Sequence, residues 1–182
     1  MKLIAVTTLL LLHTLSANGS EMGTAVDAIN EWNDIHKIEK VVRKLSKELQ
    51  EWEKALVYSN FGWRLLREGE YKQAEKYFRK SARYNEKSYE VIGLALSLFN
   101  QGRYNASLKV VQKMLEKEGR EQIIPKAYKE SAHYLLGINY LQLKQKRRAC
   151  NHWRSSSQIR KKQSSKDSYQ EKSLQEMRQH CR

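Results

Sequence analysis

Residues 58–78 read YSNFGWRLLREGEYKQAEKYF, and this stretch decides the fold because its pattern occurs three times. Residues 91–111 read VIGLALSLFNQGRYNASLKVV, and residues 133–153 read HYLLGINYLQLKQKRRACNHW. In each copy a small residue is followed 12 positions later by a second small residue. The pairs are Gly62 and Ala74, Ala95 and Ser107, and Gly137 and Ala149. An identical offset in three copies indicates a repeated structural unit rather than three unrelated amphipathic hairpins.

Each copy fits two helices that are joined by a tight turn. Gly69 and Gly102 lie seven positions after the first small residue, where a glycine can end a helix in the left-handed conformation. Tyr71 and Tyr104 then open the second helix. The third copy has KQK at residues 144–146, without the glycine or the tyrosine, so its turn is the least regular of the three.

These motifs resemble the tetratricopeptide repeat, a helix–turn–helix unit of about 34 residues. The resemblance covers roughly residues 55–160. It implies an all-α fold, a helix-turn-helix solenoid with an N-terminal amphipathic helix and a C-terminal capping helix, and we expect seven or eight helices. About eight extra residues separate the second and third copies near residues 118–127. Pro125 lies in this insertion, where proline can start a helix.

Residues 1–19 have the three-part pattern of a secretory signal peptide. Lys2 supplies the positive charge, residues 3–12 are apolar except for two threonines, and residues 16–19 read SANG, with small residues suited to cleavage. A membrane span needs about 20 apolar residues, so we expect no transmembrane span in the mature chain. An uncleaved signal anchor is the alternative. The pattern predicts a secreted or periplasmic protein.

Residues 20–54 form an N-terminal segment whose apolar side chains follow a helical period into the repeat region. The residues that step by three and four positions are Ile35, Ile38, Val42, Leu45, Leu49, Trp52 and Leu56. This spacing predicts one continuous amphipathic helix of about six turns that packs on the repeats. The same spacing occurs in coiled coils, which leaves dimerisation open. Residues 161–182 are predicted to form a basic linker and a capping helix that begins near Asp167.

The sequence contains no familiar catalytic motif: G-x-S-x-G, H-E-x-x-H and glycine-rich phosphate loops are all missing. The histidines that follow the leader are scattered, and none is paired with cysteine or a carboxylate at metal-ligand spacing. They are His36, His133, His152 and His180. His133 occupies a motif position that large packing residues hold. We therefore predict that the protein is not an enzyme and has no catalytic residue, metal site or cofactor.

The resemblance also implies a concave groove lined by the first helix of each repeat. By motif offset its residues are Leu56, Ser59, Trp63 and Leu66, then Tyr89, Ile92, Leu96 and Phe99, then Tyr134, Ile138 and Leu141. Family members that hold acidic C-terminal tails carry basic residues and Asn at these places, whereas apolar and aromatic residues predominate here. The groove is therefore expected to bind a protein or peptide, as a helix or an extended segment. The N-terminal helix of the chain itself is the alternative occupant.

Positive charge is concentrated late in a chain whose net charge is +14. Nine cations fall within 23 residues that contain no acid: Lys144, Lys146, Arg147, Arg148, Arg154, Arg160, Lys161, Lys162 and Lys166. So dense a block of one sign favours an anionic lipid, glycan or other polyanion, although a solvated face is the alternative. Two function classes follow: a scaffold that binds proteins, and a basic surface-binding protein that uses the repeats as a platform.

Cys150 and Cys181 are the two cysteines of the chain, and we predict that they form a disulfide. This requires the last helix to fold back along the third repeat, so that the two Cα atoms come within about 7 Å. Two free thiols are the alternative. Residues 105–107 (NAS) fit an N-glycosylation sequon in which Ser107 is expected to be buried. The sequence leaves the oligomeric state and the identity of the partner open.

Overall fold

The computed structural model describes residues 21–84, 88–117, 124–159 and 169–181. All regular secondary structure in these ranges is helical, with nine helices and no strand. They are α1 (Glu21–Glu31), α2 (Ile35–Leu45), α3 (Glu51–Arg67), α4 (Tyr71–Tyr84), α5 (Ser88–Asn100), α6 (Tyr104–Glu116), α7 (Lys126–Gln142), α8 (Lys146–Ile159) and α9 (Tyr169–His180). The all-α prediction is confirmed, but the expected seven or eight helices are too few. The predicted signal peptide and the Asp167 cap lie outside the described residues.

The chain divides into two compact units, residues 1–85 and residues 86–182. In the first unit α3 pairs with α4, while α1 and α2 pack on each other and on α3. In the second unit α5 pairs with α6 and α7 pairs with α8, and α9 packs on α8 and α7. Each copy of the sequence motif therefore folds as one pair of packed consecutive helices.

Small residues of the motif bring the paired helices close together. A Cβ atom added to Gly62 in α3 would lie 3.0 Å from the ring of Phe78 in α4. A Cβ atom on Gly137 in α7 would overlap the indole of Trp153 in α8. Both aromatic rings therefore occupy the space that a side chain on the facing helix would need, which explains the small residue at these two positions.

The middle pair uses a hydrogen bond at the equivalent place. Ser107 is fully buried, as expected, and its hydroxyl donates to the carbonyl oxygen of Ala95 at 2.9 Å. The Asn139 side-chain amide donates to the same hydroxyl at 3.0 Å, which links α7 to the α5–α6 pair. Asn105, the first residue of the sequon, is exposed.

The three turns share one backbone geometry, although the third lacks glycine. Gly69, Gly102 and Lys144 have positive φ angles of 82°, 73° and 58°. After each, the next residue donates its N–H to the carbonyl five positions earlier; Gln145, for example, donates to Tyr140 at 2.8 Å. This is the Schellman arrangement, which satisfies carbonyls at the end of a helix. The irregular third turn of the sequence is therefore regular in the structure.

The prediction of one continuous helix through residues 35–56 is wrong. The helix α2 ends at Leu45 and α3 begins at Glu51. Trp52, which the periodicity placed on the buried stripe, is 58% exposed. An additional helix, α1, precedes both, and it buries Ala25 and Ile29.

Local hydrogen bonds at residues 46–53 explain the break. The Ser46 hydroxyl donates to the carbonyl of Arg43 at 3.3 Å and accepts from the Tyr58 hydroxyl at 2.9 Å. The new helix then begins with a capping-box contact, in which the Gln50 N–H donates to Glu53 Oε2 at 2.8 Å. These contacts stop one helix and start another, while the apolar residues on either side keep a helical spacing.

Candidate binding surfaces

The predicted groove positions of the first unit differ in exposure. Leu56 is 42% exposed, and Trp63 and Leu66 are half-buried. Ser59 is buried, so its prediction as a ligand contact is wrong. Trp52 adds an exposed aromatic side chain one helical turn before Leu56. The helices α1 and α2 therefore leave these two apolar residues uncovered.

In the second helix pair the groove positions range from exposed to buried. Tyr89 is 36% exposed, while Leu96 and Phe99 are half-buried and the Phe99 ring lies 5.4 Å from that of Tyr104. Ile92 is buried and offers no surface to a ligand, which corrects its assignment. The apolar positions of α5 are thus more enclosed than those at the start of α3.

In the third helix pair the C-terminal helix reaches a predicted groove residue. The Tyr134 ring in α7 lies 5.2 Å from the ring of Tyr169 in α9. Burial, with a smaller contribution from the carboxylate of Glu176 in α9, raises the pKa of Tyr134 to about 12. Ile138 and Leu141 are half-buried. The surface of α7 is therefore shared with a segment of the same chain.

The basic block is exposed wherever the structure describes it. Its described residues are Lys144, Lys146, Arg147, Arg148 and Arg154, and all five are exposed. The Arg148 guanidinium lies 5.6 Å from the centre of the Tyr140 ring, a cation–π distance. The other four residues, Arg160, Lys161, Lys162 and Lys166, lie outside the described residues.

The predicted disulfide between Cys150 and Cys181 is confirmed, with a Cα–Cα distance of 5.7 Å. Cys150 lies in α8, and Cys181 directly follows α9. The rings of Trp153 and His180, the neighbours of the bond on each helix, lie 6.0 Å apart. The bond therefore fixes the end of α9 against α8, as the sequence analysis expected.

The start of α9 is held by a buried carboxylate that sequence reasoning missed. Glu130 in α7 is 1% exposed, and its Oε1 accepts the backbone N–H of Gln170 at 2.7 Å. Its backbone carbonyl accepts from the Ser156 hydroxyl at 3.0 Å. A negative charge at the first turn of a helix is favourable. The sequence offered one signal for the burial of Glu130, which is its position in the motif. Glu130 precedes Gly137 by seven residues, as buried Ala55 precedes Gly62.

Two histidines that are scattered in the sequence meet in the third helix pair. The Nδ1 atoms of His133 and His152 lie 3.1 Å apart, and the Tyr140 ring stacks on His152 with an interplanar angle of 9°. Burial lowers both pKa values, with Lys129 contributing at His133. The pKa of His152 falls to about 4, with His133 as the second cause. The pair occupies the motif positions that hold Tyr58 and Tyr77 in the first repeat.

Within the described ranges, no three His, Cys, Asp or Glu side chains are grouped so that they could hold a metal ion. No helix there is both long and apolar enough to cross a membrane. No model of a known protein family matches the chain, and a comparison with curated proteins found no relative.

Proposed function

We propose that the chain is an exported scaffold of the tetratricopeptide type that binds a protein or peptide through an apolar surface of its repeat helices. Three helix pairs with the same 12-residue offset and the same turn geometry support the repeat type. The disulfide supports an oxidising compartment outside the cytosol. This scaffold carries out no chemical step, and its activity is recognition.

Exposed apolar side chains on α3 are the observation that carries this proposal. Trp52 and Leu56 are 58% and 42% exposed, and a spacing of four residues puts them on one face of the helix. Half-buried Trp63 follows seven residues after Leu56 on the same face. We call these three residues the α3 apolar strip. Aromatic residues, above all Trp and Tyr, that are exposed to solvent in the free protein and buried in a complex are typical binding hot spots.

Selection from a displayed peptide library tests this function without knowledge of the native partner. We expect wild-type protein to enrich peptides with apolar residues at helical or alternating spacing, as helix-in-groove and extended binding require. Trp52→Ser combined with Leu56→Ser should weaken those peptides about 30-fold or more, because hot-spot truncations cost about 2 kcal/mol or more. Tyr84→Ser is the matched control, since Tyr84 is also a large exposed side chain, at 39%, but lies outside the strip.

Two results would contradict the proposal. One is a library that yields no peptide above background. The other is a set of peptides whose affinity falls equally in the strip variant and in the Tyr84→Ser control. Helix content measured by circular dichroism should stay unchanged in both variants, because the replaced side chains are exposed.

A basic surface function is the second candidate, favoured by the exposure of Lys144, Lys146, Arg147, Arg148 and Arg154. A salt titration separates the two candidates. Binding that depends on these cations collapses as salt shortens the Debye length from about 30 Å at 0.01 M to about 8 Å at 0.15 M, whereas apolar binding persists.

A further inference from the structure

A basic depression lies on the first unit, and its residues are not part of the cationic block of residues 144–166. It has a volume of about 340 Å³ and is lined by Lys72, Glu75, Lys76, Arg79, Lys80 and Arg83. Five of these six side chains are cationic. The one carboxylate, Glu75, is bound by Arg79 at 2.9 Å. The depression therefore carries a net positive charge.

A second depression of about 270 Å³ lies on the same unit and is lined by Lys40, Arg43, Lys44 and Lys47, without a carboxylate. In addition to burial, the charge of Arg43 in this depression acts on Lys80 in the first and lowers the Lys80 pKa. The α2 and α4 side chains also meet at Glu39, whose Oε1 accepts from the Tyr77 hydroxyl at 2.8 Å and lies 3.7 Å from Lys76 Nζ. We call the two depressions together the α2–α4 basic band.

The cations of the band are close enough to repel one another. The pKa of Lys80 is lowered first by burial and then by the charges of Lys76 and Arg43, with a smaller contribution from Arg83, and Glu39 opposes this only in part. An arrangement of like charges is unfavourable on its own and becomes favourable when an anion neutralises it. The band is therefore suited to a negatively charged ligand.

We propose that the α2–α4 basic band is a binding site for a sulfated polysaccharide. Two basic depressions on helices that meet at Glu39 fit an extended chain with many charges better than one small anion. None of the ten lining residues is apolar, so the band lacks the side chains that insert into a lipid surface. Lys80 covers the rings of Tyr77 and Tyr58, at 4.8 and 5.3 Å, so these buried rings offer no stacking platform for nucleic acid bases.

The second repeat supplies a matched control for this site. Lys109 and Lys113 are exposed and lie 33 residues after Lys76 and Lys80, at the same motif positions of α6. The places that correspond to Lys72, Arg79 and Arg83 are held there by Asn105, Gln112 and Glu116. The same two lysines thus stand in a basic surrounding on α4 and in a nearly neutral one on α6.

Binding of a heparin oligosaccharide to the full disulfide-bonded chain, measured by calorimetry near 0.15 M salt, tests the proposal. Lys76→Gln with Lys80→Gln should weaken binding about 30-fold, from about a factor of five for each charge. Arg43→Gln with Lys44→Gln should do the same from α2, without touching the packing of Lys80 on the tyrosines. Lys109→Gln with Lys113→Gln should change binding by less than about threefold.

Equal losses in the band variants and the α6 control would overturn the site, because they would mean that only net charge matters. Equal affinity for hyaluronan, which carries carboxylates without sulfate, would overturn the sulfated class. Parallel titrations use phosphatidylserine vesicles and a single-stranded DNA oligonucleotide. If either binds with the band-specific pattern while the oligosaccharide does not, the assignment to a polysaccharide is wrong.

Discussion

At the scale of single residues, Lys144 adopts the left-handed backbone conformation that glycine adopts in the other two turns. Its φ of 58° lies in the left-handed region, as do those of Gly69 and Gly102 in the other two turns. A residue with a Cβ atom is about 1–2 kcal/mol less favourable in this region. The hydrogen bond from Gln145 to Tyr140 and the packing of the third helix pair hold the strained residue in place.

Lys144→Gly should therefore raise the free energy of unfolding by about 1 kcal/mol. The change removes the left-handed strain, and the greater conformational entropy of glycine in the unfolded chain offsets part of that gain. Urea denaturation measures the change. Lys144→Ala is the control, because it removes the same charge but keeps a Cβ atom, and we expect little change there. A Lys144→Gly protein that is less stable than wild type would show that residue 144 is not left-handed.

The His133–His152 pair makes stability depend on pH. Because burial lowers both pKa values, the folded protein binds fewer protons than the unfolded chain below the ordinary histidine pKa of 6.5. The stability that the neutral pair contributes is thus fully present above about pH 6.5, and it is lost as the pH falls towards about 4. Lys129 beside His133 adds positive charge that further disfavours protonation.

Urea midpoints at pH 7.5 and pH 5.0 check this dependence. We expect the midpoint of wild type to fall at pH 5.0, and His152→Asn to reduce the difference between the two conditions. His36→Asn is the control, because His36 is exposed. If both variants keep the wild-type difference, the pair is not the source of the pH dependence.

At the scale of helices, α9 is attached at both ends. The Glu130 carboxylate accepts the Gln170 N–H at its start, and the disulfide holds its end. In the chain-entropy account a disulfide across 31 residues contributes about 3–4 kcal/mol. A buried donor left without its acceptor costs about 1–3 kcal/mol. The disulfide is therefore the stronger of the two attachments.

Glu130→Ala should lower the free energy of unfolding by about 1–3 kcal/mol and speed hydrogen exchange in the first turn of α9. Glu130→Gln keeps an acceptor oxygen and should have a smaller effect, which makes it the matched control. Unchanged exchange at α9 in the Ala variant would contradict the capping role of this carboxylate.

In the N-terminal segment the period of the apolar residues does not predict where each helix begins and ends. A spacing of three and four residues runs through residues 35–56, but it does not reveal that Ser46 bonds to Tyr58 and ends α2. That hydrogen bond joins residues 12 positions apart, across the break itself. Periodicity predicted helical structure in this segment, but it included Leu49, which lies in the break between α2 and α3, and it did not give the number of helices.

At the scale of the whole molecule, the sequence predicts what depends on short-range pattern and misses what depends on distant partners. The three helix pairs follow from offsets within 21 residues, and the disulfide follows from there being two cysteines. Glu130 and Gln170, by contrast, are 40 positions apart, and Tyr77 and Glu39 are 38 apart. The burial of Ser59 and Ile92 was also missed, because a motif offset does not include the neighbours that bury each position.

The positively charged residues also divide into those that the sequence reveals and those that only the fold brings together. The cations of residues 144–166 are conspicuous because nine of them fall within 23 residues that contain no acid. Those of the α2–α4 basic band are divided between two separate segments, and each helix alone has the ordinary pattern of a solvated face. Only the fold brings α2 and α4 together, where Glu39 lies 3.7 Å from Lys76. A basic surface that is assembled from two helices therefore cannot be identified by counting charged residues along the sequence.

The disulfide also closes a covalent ring in the backbone, from Cys150 to Cys181. A protease that cuts the peptide chain once inside this ring produces two fragments that remain a single molecule. Residues 160–162 read RKK, which is the type of site that trypsin-like proteases cleave. A molecule nicked there keeps α9 tethered to α8 and migrates as one species until a reducing agent separates the pieces. Cleavage within the ring thus leaves the apparent size of the molecule unchanged, and it is detected only after the disulfide has been reduced.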